Sequence, residues 1–316
     1  MTRLCIAVGL LSVALLAFQL HLMQILSIVQ WHHCGTMVVS VALLGFGAGG
    51  TALALFHARF LRHAAIAVPA FMILCGVSMA MAVPVAQLEG IRFDSLLLFV
   101  GWNELLKLAA TYVILFLPFF FGALAITVVF TRHVNDAGVL YFANLAGSGA
   151  GALLAVASMW TAPPATLPAI DAVLPLAGAA LMLPETHRTR WLGSLLTALG
   201  VAVVFTLAPN RLEVSQYKSL GRTMNLPEAS ITDERFSPYG LVQVVASPAL
   251  RYAPGLSLSY GSTVPVVAGV FNNGDWLGPV PESTLFGRNG PLSFTTSALP
   301  YRMEPRTAAL ILKSGT

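Results

Sequence analysis

Between positions 4 and 207 the chain is a succession of long apolar blocks separated by short polar interruptions. A helix needs about 20 apolar residues to cross ~30 Å of hydrocarbon. Seven blocks meet or approach that length, roughly residues 4–29, 37–55, 64–83, 109–130, 140–160, 167–183 and 191–207. The first is too long for the core of a signal peptide and has no clear cleavage site, so it reads as a span. The stretch SLLLFVGWNELLKLAA (residues 95–110) is ambiguous. Glu104 and Lys107 stand one helical turn apart and can pair, which suits an interfacial helix or an extension of the fourth span.

After position 207 the texture changes. Residues 209–229 are polar and turn-rich and read as a linker with one short helix near 215–224. β-like runs follow at 230–236, 240–247, 256–260 and 264–271, separated by SPYG, SPALRYAPG and NNGD. Those separators carry the Pro, Gly and Asn that turns require, so a small antiparallel sheet is predicted. Residues 281–300 read as an irregular or weakly helical connection, and 308–313 as the next strand.

Composition sharpens this division. Hydrophobic residues make up 57% of the 316 positions and charged residues 9%, against about one quarter charged in soluble domains. Mean hydropathy is +0.79. Residues 1–208 hold eight Lys/Arg and six Asp/Glu, whereas the following 108 hold nine and seven. A membrane region followed by a water-exposed one is the expectation, with the lipid bilayer as first partner. Placing Arg3, Arg59, Arg62, Arg132, Arg188 and Arg190 in the cytoplasm puts the N-terminus inside. Seven spans then leave the tail outside, while an eighth crossing near 95–107 returns it to the cytoplasm and exports the later arginine loops. Charge does not choose between the two. The net charge of +4 comes without a basic cluster, so nucleic-acid binding has no footing. Cys5, Cys34 and Cys75 show no CxxC spacing and support neither a disulfide framework nor a cysteine zinc site.

Glycine motifs are read by their context. GFGAGG (residues 45–50) lies inside an apolar block with no strand before it, so Gly45 and Gly49 are read as helix-packing positions. Gly147 and Gly151, with Gly149 between them, read the same way. His32, His33 and Cys34 form an interfacial polar loop rather than a metal site. Gln19, His21, Gln24, Asn144 and Asp171 are few but costly in lipid, and hydrogen bonds between helices account for them better than a transport path does. FNNGDW (residues 271–276) predicts a hairpin turn that presents Asn273 and Asp275. The closing AALILKSGT (residues 308–316) has a strand followed by a glycine, as at the opening of a nucleotide-binding domain.

Several of these segments together resemble multi-pass bacterial membrane proteins with a C-terminal spermidine-synthase-like domain, relatives of S-adenosylmethionine-dependent methyltransferases. Residues 20–53, 117–130 and 138–155 resemble spans of that family, and SQYKSLGRTMNLPEA, residues 236–260 and VFNNGDW resemble its linker and small β-domain. ALILKSGT is similar to its first cofactor-binding strand.

The resemblance implies an α-helical multi-pass bundle of about seven spans (1–208), a linker (209–229), a small β-rich domain (230–305) and the start of a truncated Rossmann-like domain (306–316). It implies residence in the bacterial inner membrane, Gly315 at the cofactor turn, and Asn273 and Asp275 at the substrate entrance. No cofactor is expected in this chain. S-adenosylmethionine or its decarboxylated form, and a small-molecule substrate, belong to a full-length parent, and a second copy of the chain is an allowed partner. Asn273 stands where the family usually has an acid. In TTSALPYRM (residues 295–303) only Tyr301 remains of the Asp-Glu and Tyr-His-Glu stretch of aminopropyltransferases. Polyamine synthesis and catalysis by this chain are therefore not expected. The reading from a different class is a small transporter or channel with a regulatory β-tail.

Overall fold

A computed structural model describes residues 1–183, 192, 195–196, 198–200, 212–280 and 290–299. The chain divides into two compact units: Met1–Glu213 with Phe236–Pro238, and Val214–Arg235 with Tyr239–Thr316.

The first unit is helical: α1 Thr2–Val29, α2 His32–Leu55, α3 His57–Arg62, α4 Ala64–Ala86, α5 Trp102–Arg132, α6 Ala137–Ser158, α7 Leu167–Asp171 and α8 Val173–Leu181. Among the described residues six helical stretches are long and apolar enough to cross a membrane: Thr2–Val29, His32–Leu55, Ala64–Ala86, Trp102–Arg132, Val134–Ser158 and Pro164–Leu181. They coincide with the first six blocks read from the sequence. The seventh block, 191–207, falls mostly outside the described residues.

The ambiguous stretch is resolved as an extension of the fourth span. Ser95–Leu97 is a single 3₁₀ turn, and from Trp102 the chain is already in the 31-residue helix α5. No separate crossing lies near 95–107. Glu104, in the first turn of α5, explains why the helix starts early. Its carboxylate accepts from the Asp94 N–H at 3.0 Å and from Lys107 Nζ at 2.8 Å. Gln30, just past α1, donates through Nε2 to Phe93 O at 2.7 Å and accepts from Ser95 N at 3.3 Å.

Helix α1 is the axis of this unit and packs on α2, α5, α6, α7 and α8. Its buried side chains lie around most of its circumference, the pattern of a helix enclosed by others. Helix α6 is the opposite case. It buries only Leu140, Gly147, Gly151 and Ala155, one stripe facing α1, and exposes Phe142, Leu145, Leu153 and Leu154. Helix α2 likewise exposes Leu43, Leu44, Phe46 and Leu55. Apolar area on this scale is foreign to a water-soluble monomer and suits contact with hydrocarbon. Pro69, Pro84 and Pro118 inside α4 and α5 are tolerated in such helices, where neighbours satisfy the freed backbone groups.

The second unit is built on a four-stranded antiparallel sheet of order β1-β2-β3-β4: β1 Ser230–Ser237, β2 Gly240–Ala246, β3 Gly269–Asn272 and β4 Asp275–Pro279. A short helix, α9 (Ser219–Thr223), lies within the predicted 215–224. Along β2, Leu241, Gln243 and Val245 are buried in alternation, and Val245 meets Leu220 and Phe271 in a small core. β1 is an exposed edge carrying Asp233, Glu234 and Arg235, charges that discourage pairing with another chain.

Two predicted strands are corrected. Residues 256–260 form turns. Gly255 turns the chain at φ +66°, and the Ser257 hydroxyl receives the Ser259 N–H at 3.3 Å, a local bond that competes with a ladder. Only an isolated bridge, Leu256 to Thr295, remains. Of 264–271 only the last three residues enter β3, because Pro265 offers no N–H. β4, rich in residues that disfavour strands, was not predicted. The predicted 281–300 connection is described from Gly290 to Leu299, with 3₁₀ turns at Pro291–Phe294 and Thr296–Ala298. Residues 306–316, with Gly315, lie outside the described residues, as does Tyr301.

Candidate functional site

In the β unit, Asn273 and Asp275 flank the β3–β4 hairpin. Asn273 has φ +50° and Gly274 φ +79°. Two successive left-handed residues make the tight turn whose twist matches the flanking strands, and Asn-Gly is the pair that accepts it most readily. The Asn273 side chain is committed locally: Oδ1 accepts from Leu241 N at 2.8 Å, and its own N–H donates to Leu241 O at 2.8 Å. The turn is thereby tied to the start of β2.

Lys218, fully buried, reaches the same turn from the segment before α9. Its ammonium donates to Asn273 O at 2.5 Å and lies 3.7 Å from Asp275 Oδ2. The Leu220 N–H donates to Gly274 O at 2.9 Å. The Asp275 side chain is 46% exposed and keeps access to solvent. Trp276 stacks on Tyr252 at 5.2 Å and meets Phe271 edge-on at 5.2 Å. Sequence reasoning found Asn273 and Asp275 but missed Lys218, which stood in a predicted linker helix beside a second cation, Arg222, with nothing to single it out. A groove of about 460 Å³ lies elsewhere on this unit, lined by Glu228, Ser230, Ser247, Pro248 and Val266 among others.

In the helical unit two of the polar residues noted from the sequence, His21 and Asp171, are brought together. His21 Nδ1 lies 2.6 Å from Asp171 Oδ2, and His21 Nε2 lies 2.9 Å from Ser158 Oγ. His21 and Asp171 are buried. With the Nδ1–H donating to the carboxylate, Nε2 accepts a hydrogen bond from the Ser158 hydroxyl; an imidazolium instead donates at both nitrogens, and the Ser158 hydroxyl donates to Ala155 O at 2.9 Å. Either proton count leaves the three side chains hydrogen-bonded. The order Asp, His, Ser matches that of hydrolytic triads, but Ser158 ends α6. Carbonyls concentrate negative partial charge at that end of a helix, the wrong polarity for an oxyanion. The arrangement fastens α1, α6 and α7. Ser12 Oγ donates to Asn144 Oδ1 at 2.7 Å and links α1 to α6 again.

The glycines read as packing positions sit where helices come closest. A Cβ on Gly147 would lie 2.5 Å from Gly9 O, and one on Gly151 2.5 Å from Val13 O. On Gly45 and Gly49 it would lie 2.5 Å from Phe119 Cβ and 2.8 Å from Ala123 Cβ. Gly149, read with them, is corrected: it faces open space and packs against no neighbouring helix. His32 and His33 open α2 with their rings edge to face at 5.6 Å, and Cys34 is buried behind them. Among the described residues no three His, Cys, Asp or Glu side chains form a group able to hold a metal.

Comparison of the chain with family models, curated proteins and solved structures gave no match.

Proposed function

We propose that this chain is an integral protein of the bacterial inner membrane whose helices anchor a small β unit of the spermidine-synthase-like kind, related to S-adenosylmethionine-dependent transferases. The observation that carries the anchoring role is the outward face of the helical unit. Leucine and phenylalanine cover the exposed sides of α2 and α6, while the buried stripes run through Gly45 and Gly49 of α2 and Gly147 and Gly151 of α6 together with small and aliphatic neighbours. Trp102, exposed at the first residue of α5, has the amphipathic ring of a headgroup-level belt, and the exposed Phe99 just before it adds apolar surface at the same end.

The transferase-like half of the reading is supported by the sequence segments quoted above and by a small antiparallel sheet at the expected position. The donor in that reading is S-adenosylmethionine or its decarboxylated form, which supplies a transferable methyl or aminopropyl group. The described residues do not fit it. Their strands are antiparallel, and none leads through a glycine turn into a helix, as an adenosyl-binding site requires. Asp275, with an accessible carboxylate, is the residue of the hairpin left to meet a substrate, whereas Asn273 is occupied in holding the turn.

A transporter or channel with a regulatory tail would draw on the His21–Asp171 pair as its ionisable element. That pair closes on Ser158 and bridges helices, so the anchoring reading uses it more simply. Solute uptake by proteoliposomes containing the purified chain separates the two: none is expected. The coding DNA beyond codon 316 tests the transferase relation. A frame continuing into a glycine-rich turn and alternating β/α pattern is expected, and the lack of any such pattern contradicts it.

A further inference from the structure

We infer that the arginine-rich end of the helical unit binds an anionic phospholipid, its acyl chain in a cleft among α1, α4 and α5 and its phosphate on Arg132. The inference rests on the membrane reading and goes beyond it by naming a site. The cleft has a volume of about 260 Å³ and walls of Leu4, Ala65, Val68 and Val129, with Arg132 and His133 also lining it. An apolar trough with a cation among its walls has the two chemistries of a lipid, hydrocarbon below and phosphate above.

Arg132 ends α5 and is exposed. One of its guanidinium donors goes to Leu61 O at 3.3 Å, which holds the side chain beside α3 and leaves the other donors for phosphate oxygens. Arg59 and Arg62 lie on α3, and Arg3 immediately precedes Leu4 of the cleft wall. Among the described residues, the loops at this end contain a single carboxylate, Asp136. The opposite end carries no excess of cations: Glu89, Asp94 and Glu104 stand against Arg92 and Lys107, Glu104 is paired with Lys107 and Arg92 with Glu213. Among the described residues, the excess of positive charge therefore lies at the end that carries the cleft. A free anion would gain nothing from the apolar walls, so a lipid is the occupant that uses the whole site.

The test uses the full chain, purified in detergent and delipidated, with dioleoylphosphatidylglycerol and dioleoylphosphatidylcholine as probes and native mass spectrometry as the readout. The expected result is retention of one phosphatidylglycerol at least about fivefold more tightly than phosphatidylcholine, the worth of roughly one arginine near an anionic headgroup. Arg132→Gln should remove most of that preference. Ala65→Phe, which fills the cleft from an exposed position, should weaken both lipids, and it keeps the test decisive if the arginine variant does not purify as a monodisperse species. Equal retention of the two lipids by the unaltered chain overturns the inference, as does displacement of the glycerolipid by inorganic phosphate. A chain that needs detergent yet shows no lipid preference refutes this site alone. A chain that is monodisperse without detergent refutes the membrane reading beneath it.

Discussion

His21 and Asp171 are separated by 150 positions in the chain and meet at 2.6 Å, buried between α1 and α7. Removing one member of such a pair leaves the other without its partner in a site that water does not reach. His21→Ala or Asp171→Ala should each cost about 3 kcal/mol, and a double replacement by leucines should recover much of that loss. Thermal unfolding in detergent measures it. Single variants as stable as the parent would show that the pair does not fasten the helices.

The approach of α1 to α6 makes a second prediction. Gly147→Ala places a methyl group against the Gly9 carbonyl and should destabilise by about 1–3 kcal/mol, while Gly149→Ala, facing open space, should be nearly neutral. The same unfolding assay compares them. Equal effects would mean that the close approach through Gly147 is not present in the protein.

The hairpin turn separates two contributions at one residue. Asn273→Gly keeps the left-handed backbone but loses the acceptor for Leu241 N, at a cost of about 1 kcal/mol. Asn273→Ala loses the acceptor and also strains φ, so it should cost more. Limited proteolysis of the full chain reports the order through cleavage within 240–275.

Lys218 and Asp275 should not be equivalent, although they face each other. Lys218→Met removes a buried donor from Asn273 O and should cost about 1–3 kcal/mol. Asp275→Asn touches a half-exposed carboxylate at 3.7 Å and should cost less than about 1 kcal/mol. A reversed order would place the structural role of the turn on the carboxylate.

Legibility from sequence followed the physics of each unit. Long apolar blocks have one outcome in lipid, a helix, because every backbone group must be satisfied internally. The six described spans therefore match the pattern closely. The stretch 95–110 was ambiguous because its fate depends on Glu104 receiving the Asp94 N–H, a contact that spacing alone does not show. In the β unit, Asn-Gly marked its turn, yet β4 was missed because Asp275, Gly278 and Pro279 argue against a strand. Pairing across the turn overrides that preference. The meeting of His21, Ser158 and Asp171 was legible only as two isolated polar residues, His21 and Asp171, with Ser158 not singled out, since helix packing, not spacing, assembles them. Lys218 was hidden for the same reason.

The central claim is that the helical unit resides within a bilayer, and extraction of native membranes tests it most directly. After expression, the chain should remain in the membrane pellet through alkaline carbonate and urea washes and enter solution only with detergent. Release by either wash, or a monodisperse species in detergent-free buffer, would contradict the account.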